Sequence, residues 1–203
     1  FTLICRGAKF SYFLMLFFAI PIFFEARTIL DLWLGVYPEE AVIFTRFSVL
    51  LSLACMFGNT LLTGCYAVGN IAGYSIKVSI VSSMMFIGTY IFYKMGFRVE
   101  TVYCISFVVL VLMIVVRIDF LKKRIGFPPM MFVNNVVCKS LIVTVPALML
   151  PVLICSFIPT GVLRFLLTIT LSSMSTLISV AFIGLTSDER RKVILIIKKR
   201  LKG

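Results

Sequence analysis

Two long uncharged stretches constrain this chain more than any other feature. One runs from Ser140 to Leu163 and the other from Phe165 to Ser187, with Arg164 between them. Each is longer than the roughly 20 mainly apolar residues that a helix needs to cross a bilayer. In the whole chain 61% of the residues are hydrophobic and 14% are charged, whereas soluble domains have roughly 45–50% and about 25%. We therefore expect an integral membrane protein.

Four more apolar runs precede these two stretches, and none of them shows the two-residue alternation of a barrel strand. In lipid every backbone polar group must find a partner within the protein, so helices are the structure that can span the membrane here. We predict an all-α, polytopic transmembrane bundle over residues 1–186 and a basic tail over 187–203. The six spans are expected at about residues 10–34, 41–66, 71–93, 99–120, 136–157 and 162–185.

The excess of positive charge fits this interpretation. The chain has 20 Lys and Arg against 8 Asp and Glu, and a formal net charge of +12. In a soluble protein such an excess would suggest a nucleic-acid partner, but here many of the basic residues lie in short segments beside apolar runs. Cytoplasmic loops of membrane proteins have this pattern, because Lys and Arg set the orientation. Basic clusters before the first span and after the sixth predict that both ends face the cytoplasm, and no nucleic-acid partner is expected.

Residues that carry chemistry are sparse. The six cysteines show no CxxC spacing and the chain has no histidine, so neither a zinc site nor a disulfide framework is expected. Most of the cysteines lie within or beside apolar runs, which favours buried free thiols. The sequence also lacks a catalytic constellation and a Gly-rich phosphate loop beside a strand. We therefore expect no cofactor, no metal and no enzymatic activity.

Charged residues within the spans are the main functional candidates. Arg46 is the clearest, because it follows Pro38 by eight residues and so lies on the order of 10 Å inside the second span. A central Arg costs about 2.5–3.5 kcal/mol on insertion scales and usually faces protein or an aqueous cavity. No acidic residue lies one turn away to neutralise it. Arg46 therefore needs a cavity, a partner on another helix, or the outer headgroups.

Other polar positions have simpler interpretations. Arg27 and Asp31 lie four residues apart on one helix face and could neutralise each other. Glu25 and Asp31 are possible ion-binding or charge-pair residues, whereas Arg117 is expected to be an interfacial anchor. Small hydroxyl residues recur in the sixth span and favour a close helix-packing face; they are Ser172, Ser173, Ser175, Thr176 and Ser179.

The tail after the sixth span combines a helix start with a basic surface. Thr186 and Glu189 have the spacing of a capping box, in which each residue bonds to the backbone of the other. An apolar strip beside seven basic residues predicts an amphipathic helix on the inner membrane surface. A disordered tail is the alternative. The basic residues are Arg190, Arg191, Lys192, Lys198, Lys199, Arg200 and Lys202.

Several short motifs resemble those of a known transporter family. They comprise a helix that ends in Leu-Trp-Leu-Gly before the next span, an Ala-x-Gly-x-x-x-x-Tyr turn, and a charged C-terminal segment. The sequence resembles the polysaccharide transporter family, the O-antigen and capsule repeat-unit flippases of the multidrug/oligosaccharidyl-lipid/polysaccharide (MOP) exporter superfamily. The residues that carry the resemblance are Phe24–Gly35 with Pro38, Glu39, Thr45 and Arg46, then Tyr66–Asn70 with Tyr74, and Asp188–Arg191.

The resemblance implies a bacterial inner-membrane protein that flips polyprenyl-pyrophosphate-linked oligosaccharide repeat units for surface polysaccharide synthesis. Two lobes would rock in alternating access about a cationic cavity. This chain, which begins at Phe1 rather than Met, would supply the ninth to fourteenth helices as a C-terminal part without a signal peptide. The implied substrate-binding residues are Arg46 and Arg27, because arginine suits phosphate groups. The implied partners are the lipid-linked oligosaccharide, membrane lipids, the N-terminal lobe of the same chain and the polysaccharide polymerase machinery.

Two other classes stay open. A cation-coupled multidrug exporter of the same superfamily would need intramembrane carboxylates, for which Glu25 and Asp31 are the candidates. A non-transporting membrane scaffold or enzyme subunit would fit the hydropathy equally well. It would leave the family-like turns unexplained.

Overall fold

A computed structural model describes residues 1–69, 72–186 and 189–191, and these residues form helices joined by short turns. A π-helical segment, Val133–Cys138, joins α6 to α7, and another, Val180–Gly184, extends α8. No strand occurs within the described residues, so the all-α prediction is confirmed. The helices are α1 (Thr2–Phe24), α2 (Ala26–Leu34), α3 (Glu40–Ala67), α4 (Ala72–Lys94), α5 (Thr101–Ile125), α6 (Pro129–Phe132), α7 (Lys139–Phe157) and α8 (Val162–Ser179).

Six helical stretches of the described chain are long and apolar enough to cross a membrane. Four of them are single helices, namely α1, α3, α4 and α5. The other two are Pro129–Phe157, which unites α6, the first π segment and α7, and Val162–Gly184, which unites α8 with the second π segment. The prediction of a polytopic helical membrane protein is therefore confirmed.

Two spans begin or break at positions that differ from the predicted ones. The span expected at residues 10–34 consists of α1, which starts at Thr2, and the short helix α2. The two helices are separated by Glu25, whose φ of −102° and ψ of 22° depart from helical values. The fifth span starts at Pro129 rather than near residue 136, because proline suits the first position of a helix, where its missing N–H costs nothing.

Helix α1 occupies the centre of the bundle. It packs against α3 on one side and against α7 and α8 on the other, whereas α4 packs against α5 at the periphery. One core cluster includes Cys5, Ala8, Leu61 and Leu121, near the start of α1. A second cluster, built on Tyr12, Phe13, Leu16, Ile20, Val143 and Ala147, lies farther along α1 against α7.

The predicted hydroxyl face of the sixth span is confirmed. Ser172, Ser175, Thr176 and Ser179 are buried on α8, which packs against α7 and α1, and Ser173 is half-buried. The hydroxyl of Ser175 lies 3.4 Å from the carbonyl oxygens of both Pro146 and Ala147. Pro151 lacks the N–H that would bond to the Ala147 carbonyl four residues earlier, so the hydroxyl from α8 supplies the missing donor.

Candidate functional site

A polar cavity of about 600 Å³ lies where α1 gives way to α2. The starts of α3 and α8 and the loop before α5 complete its wall. Its charged lining consists of four arginines and three glutamates, which are Arg27, Arg46, Arg98, Arg164, Glu39, Glu40 and Glu100. We call it the arginine cavity. A volume of this size is within the roughly 300–1,000 Å³ of typical ligand sites.

Glu25 anchors the wall of this cavity from the break between α1 and α2. Its carboxylate is fully buried and accepts two hydrogen bonds from Arg164, at 2.9 Å from Nε and 3.2 Å from Nη2. The hydroxyls of Thr28 and Thr168 donate to it at 2.7 and 3.2 Å. Burial raises the pKa of Glu25, but the hydrogen bonds from Arg164, Thr28 and Thr168 outweigh it, so the pKa lies below its ordinary value. The acid is therefore ionised and committed to Arg164.

Arg46 reaches the cavity from α3 and is held by a backbone carbonyl. Its Nε donates to the carbonyl oxygen of Phe23 at 3.1 Å, and its guanidinium lies 5.8 Å from the centre of the Phe23 ring. Phe23 is in the last turn of α1, where carbonyl groups lack partners in their own helix. Within residues 1–69, 72–186 and 189–191, no carboxylate lies within 4.0 Å of Arg46. The half-buried guanidinium thus lies beside the cavity without a neutralising carboxylate among the described residues.

The expected pairing of Arg27 with Asp31 is wrong. Arg27 instead lies 3.7 Å from Glu39 at the start of α3, and both side chains are exposed. Asp31 accepts a 2.6 Å hydrogen bond from the hydroxyl of Tyr37, in the loop after α2. The loop folds back on α2, so each charge finds a partner beyond its own helix. These residues also line an open depression of about 430 Å³ next to the arginine cavity.

The prediction that Arg117 is an interfacial anchor is also wrong, because its side chain is buried among helices. Its Nε donates to the hydroxyl of Tyr74 in α4 at 3.2 Å. On the α3 side a Cβ at position 58 would collide with Nη1, so Gly58 provides the space for the guanidinium. Arg117 therefore joins α3, α4 and α5.

A second polar cluster lies at the opposite end of α1. Glu189 is buried and accepts hydrogen bonds from the Lys9 ammonium at 2.5 Å and from the Thr186 amide at 2.9 Å, and the Arg6 Nε lies 3.3 Å from its other oxygen. Burial raises the pKa of Glu189, but the hydrogen bonds from Lys9 and Thr186 outweigh this effect, so the pKa lies below its ordinary value. The bond to Thr186 agrees with the predicted capping spacing. The partners on α1 were not predicted, since nothing in the local sequence links positions so far apart.

Only the first part of the basic tail can be described. Arg190 donates to the carbonyl of Phe182 at 2.8 Å, and Arg191 is exposed. The rest of the predicted surface helix, including Lys192, Lys198, Lys199, Arg200 and Lys202, lies outside the described residues. The amphipathic arrangement of the tail stays a prediction.

Together these features define a polytopic helical membrane protein with a charged cavity at the end of α1 and a buried ion-pair cluster at its start. No family model matches the chain, and comparison with curated proteins and with solved structures found no similar protein. Within the described residues, no group of three or more His, Cys, Asp or Glu could hold a metal ion. The six cysteines are free thiols.

Proposed function

We propose that the chain forms a helical lobe of a bacterial inner-membrane transporter that flips polyprenyl-pyrophosphate-linked oligosaccharides by alternating access. The observation that carries this proposal is the state of Arg46. It is half-buried within an apolar span, it has no carboxylate within 4.0 Å among the described residues, and it lines a cavity of about 600 Å³. An intramembrane cation with these features marks a binding site or pathway by default.

The distribution of charge within the cavity supports an anionic ligand. Among the charged residues of the lining, Arg46, Arg164 and Glu100 are half-buried, while Arg27, Arg98, Glu39 and Glu40 are exposed. Charges interact more strongly where water is excluded, so the half-buried residues have more influence on a bound ligand than the exposed ones. Of the two half-buried arginines, Arg164 is already paired with Glu25, whereas Arg46 has no carboxylate within 4.0 Å among the described residues. The planar guanidinium can also bind two phosphate oxygens at once, which suits a pyrophosphate.

The lining also provides for the other parts of such a substrate. Val42 and Ile43 contribute apolar surface beside the arginines, and Ile43 is exposed. A lipid-linked sugar needs a polar site for its head that adjoins an apolar surface for its chain. Thr160 is an exposed residue of the same lining, and its hydroxyl can hydrogen-bond to sugar hydroxyls.

The state of Glu25 disfavours the second candidate, a cation-coupled multidrug exporter. That mechanism needs a carboxylate free to bind an ion. Glu25 already accepts four hydrogen bonds, two of them from Arg164. Its lowered pKa also disfavours proton uptake near neutral pH.

The test replaces Arg46 in the protein expressed in its host. Arg46→Gln removes the charge at similar length, and we expect it to abolish surface polysaccharide while protein level and membrane insertion stay normal. Arg46→Lys keeps the charge without the planar fork and should retain part of the activity. Arg124→Gln is the matched control, because Arg124 is exposed and lies outside the cavity lining. Full activity of Arg46→Gln would refute the assignment.

A further inference from the structure

We propose that the opposite end of the bundle holds a second anion site, which binds a phosphate group through Lys139, Lys9 and Arg6. These residues line a cavity of about 160 Å³, which we call the lysine cavity. The proposal is independent of the transport function, because it rests on different residues at the other end of α1.

Three separated parts of the sequence build the lysine cavity. On α1 the lining residues recur at helical spacing, as Thr2, Cys5, Arg6 and Lys9. Opposite them, Met131, Asn135 and Lys139 recur every four residues along the start of the fifth span. Thr186 and Glu189 close the site after the second π segment.

The charges of this lining favour an anion. The described residues of the lining include three basic side chains and one acidic side chain, Glu189. The carboxylate of Glu189 is occupied by Lys9, Arg6 and the Thr186 amide. In the part of the chain that the structure describes, no carboxylate lies within 4.0 Å of Lys139. Two positive charges are therefore in excess, which matches the −1.5 to −2 of a phosphate monoester near pH 7.

The Lys9 ammonium has more hydrogen-bond donors than the described residues have acceptors for it. An ammonium group has three N–H donors, and Lys9 is only 3% exposed. Within the described residues, Glu189 is the one hydrogen-bond acceptor of Lys9. Buried donors without partners are costly. A bound phosphate oxygen would accept a hydrogen bond from an N–H group of Lys9 that has no acceptor among the described residues.

The π-helical backbone next to the lysine cavity is a second, independent indication of a binding site. Both π-helical segments adjoin it: Asn135 lies within Val133–Cys138, and Val180–Gly184 leads directly to Thr186. Segments of this kind are rare and occur frequently at functional sites. Gly184 lets the second segment approach α1, since a Cβ there would lie 2.7 Å from the ring of Phe13.

The size of the lysine cavity limits the ligand. Its volume of about 160 Å³ is far below the 600 Å³ of the arginine cavity, so it suits one phosphate group without attached sugars. Such a phosphate could belong to a lipid headgroup or to a soluble molecule. The chemistry of recognition is the same in both cases, and the experiment separates them.

The experiment measures binding to the full chain reconstituted in phosphatidylcholine nanodiscs. One arm adds inorganic phosphate, and the other incorporates phosphatidic acid, whose headgroup is a phosphate monoester. Binding is followed by the rise in thermal unfolding temperature. Lys139→Gln removes a cation that has no carboxylate within 4.0 Å among the described residues, and it leaves the Lys9–Glu189 pair intact. Lys122→Gln is a control on an exposed lysine outside the cavity.

We expect wild type and Lys122→Gln to bind at least one probe, and Lys139→Gln to bind it about ten- to a hundredfold more weakly, the loss typical of one charged hydrogen bond. A response to phosphatidic acid alone would assign the site to a lipid headgroup, and a response to inorganic phosphate would assign it to a soluble anion. Equal binding by Lys139→Gln, or no binding of either probe by wild type, would overturn the proposal. None of these outcomes bears on surface polysaccharide, so the transport proposal stands or fails separately.

Discussion

At the scale of single residues, the described chain accommodates buried charge in two ways. Glu25 and Glu189 are each fully engaged by basic partners from distant parts of the chain. Arg46 and Arg117 instead use neutral groups, a backbone carbonyl and a tyrosine hydroxyl. The first arrangement neutralises charge and joins helices, whereas the second preserves positive charge within the bundle.

Removal of the Glu25 carboxylate should strongly destabilise the fold. Glu25→Ala leaves the largely buried Arg164 without its partner, and breaking a buried pair from one side costs about 3–5 kcal/mol. We expect a clearly lower thermal unfolding temperature in detergent. Asp31→Asn is the control, since Asp31 is exposed and should leave that temperature near the wild-type value. An unchanged midpoint for Glu25→Ala would show that the pair contributes little.

The same carboxylate predicts how stability responds to acid. The pKa of Glu25 is lowered from its ordinary value of 4.5 in the folded state, so the unfolded state takes up protons first as the pH falls. The stabilisation is therefore fully present above that ordinary value and is lost as the pH falls through the lowered folded value. Thermal unfolding measured from about pH 7 to about pH 3 should show a decline that is smaller in Glu25→Gln. An identical decline in both proteins would contradict the assignment.

At the scale of secondary-structure elements, close approaches and breaks determine how the helices meet. The break at Glu25 separates α1 from α2 and places the buried Glu25 carboxylate within hydrogen-bond distance of Thr168 on α8. Pro151 leaves a carbonyl for Ser175, so α7 and α8 are joined by a hydrogen bond in addition to their small-residue contact. Each irregularity thus becomes a specific contact between elements.

The approach of the second π segment to α1 can be tested at Gly184. A methyl group there would meet the Phe13 ring at 2.7–2.8 Å and Val143 at 3.4 Å, and Phe13 is itself buried. We expect Gly184→Ala to destabilise the protein by about 1–3 kcal/mol, the usual cost of overpacking. Gly73→Ala is a matched control, because a methyl group meets nothing within 4 Å there and alanine favours the helix. Equal unfolding temperatures for the two variants would exclude a tight approach.

At the scale of the whole molecule, the two polar sites lie at opposite ends of α1. The start of α1 contacts the residues after the sixth span, which is the arrangement expected when an even number of spans returns the chain to its starting side. The positive-inside rule predicts that the lysine cavity faces the cytoplasm and that the arginine cavity faces the other side of the membrane.

Reporter fusions test this orientation. A periplasm-active reporter should work after Glu39 or Pro159 and fail after Lys123 or Gly203, because the basic clusters should stay in the cytoplasm. Activity is measured in intact cells and normalised to protein level. The reverse pattern of activity would reject the proposed topology and exchange the sides of the two cavities.

The sequence alone determined the membrane character, the helical class and the number of spans. These properties depend on local hydropathy: an uncharged run long enough to cross lipid must be helical wherever the rest of the chain lies. The hydroxyl face of the sixth span and the bond between Thr186 and Glu189 could be predicted for the same reason, since both follow from helical spacing within a few residues.

Tertiary structure alone decided which buried charges meet. Glu25 and Arg164 are 139 positions apart, and Lys9 and Glu189 are 180 apart, so no local pattern could pair them. Local spacing in fact favoured Arg27 with Asp31, but their side chains found better partners on neighbouring segments. The partner of a charged side chain depends on which donors and acceptors the packed helices bring within hydrogen-bond distance of it. These distances depend on how all the helices pack together, so the sequence of a single helix does not determine the pairing.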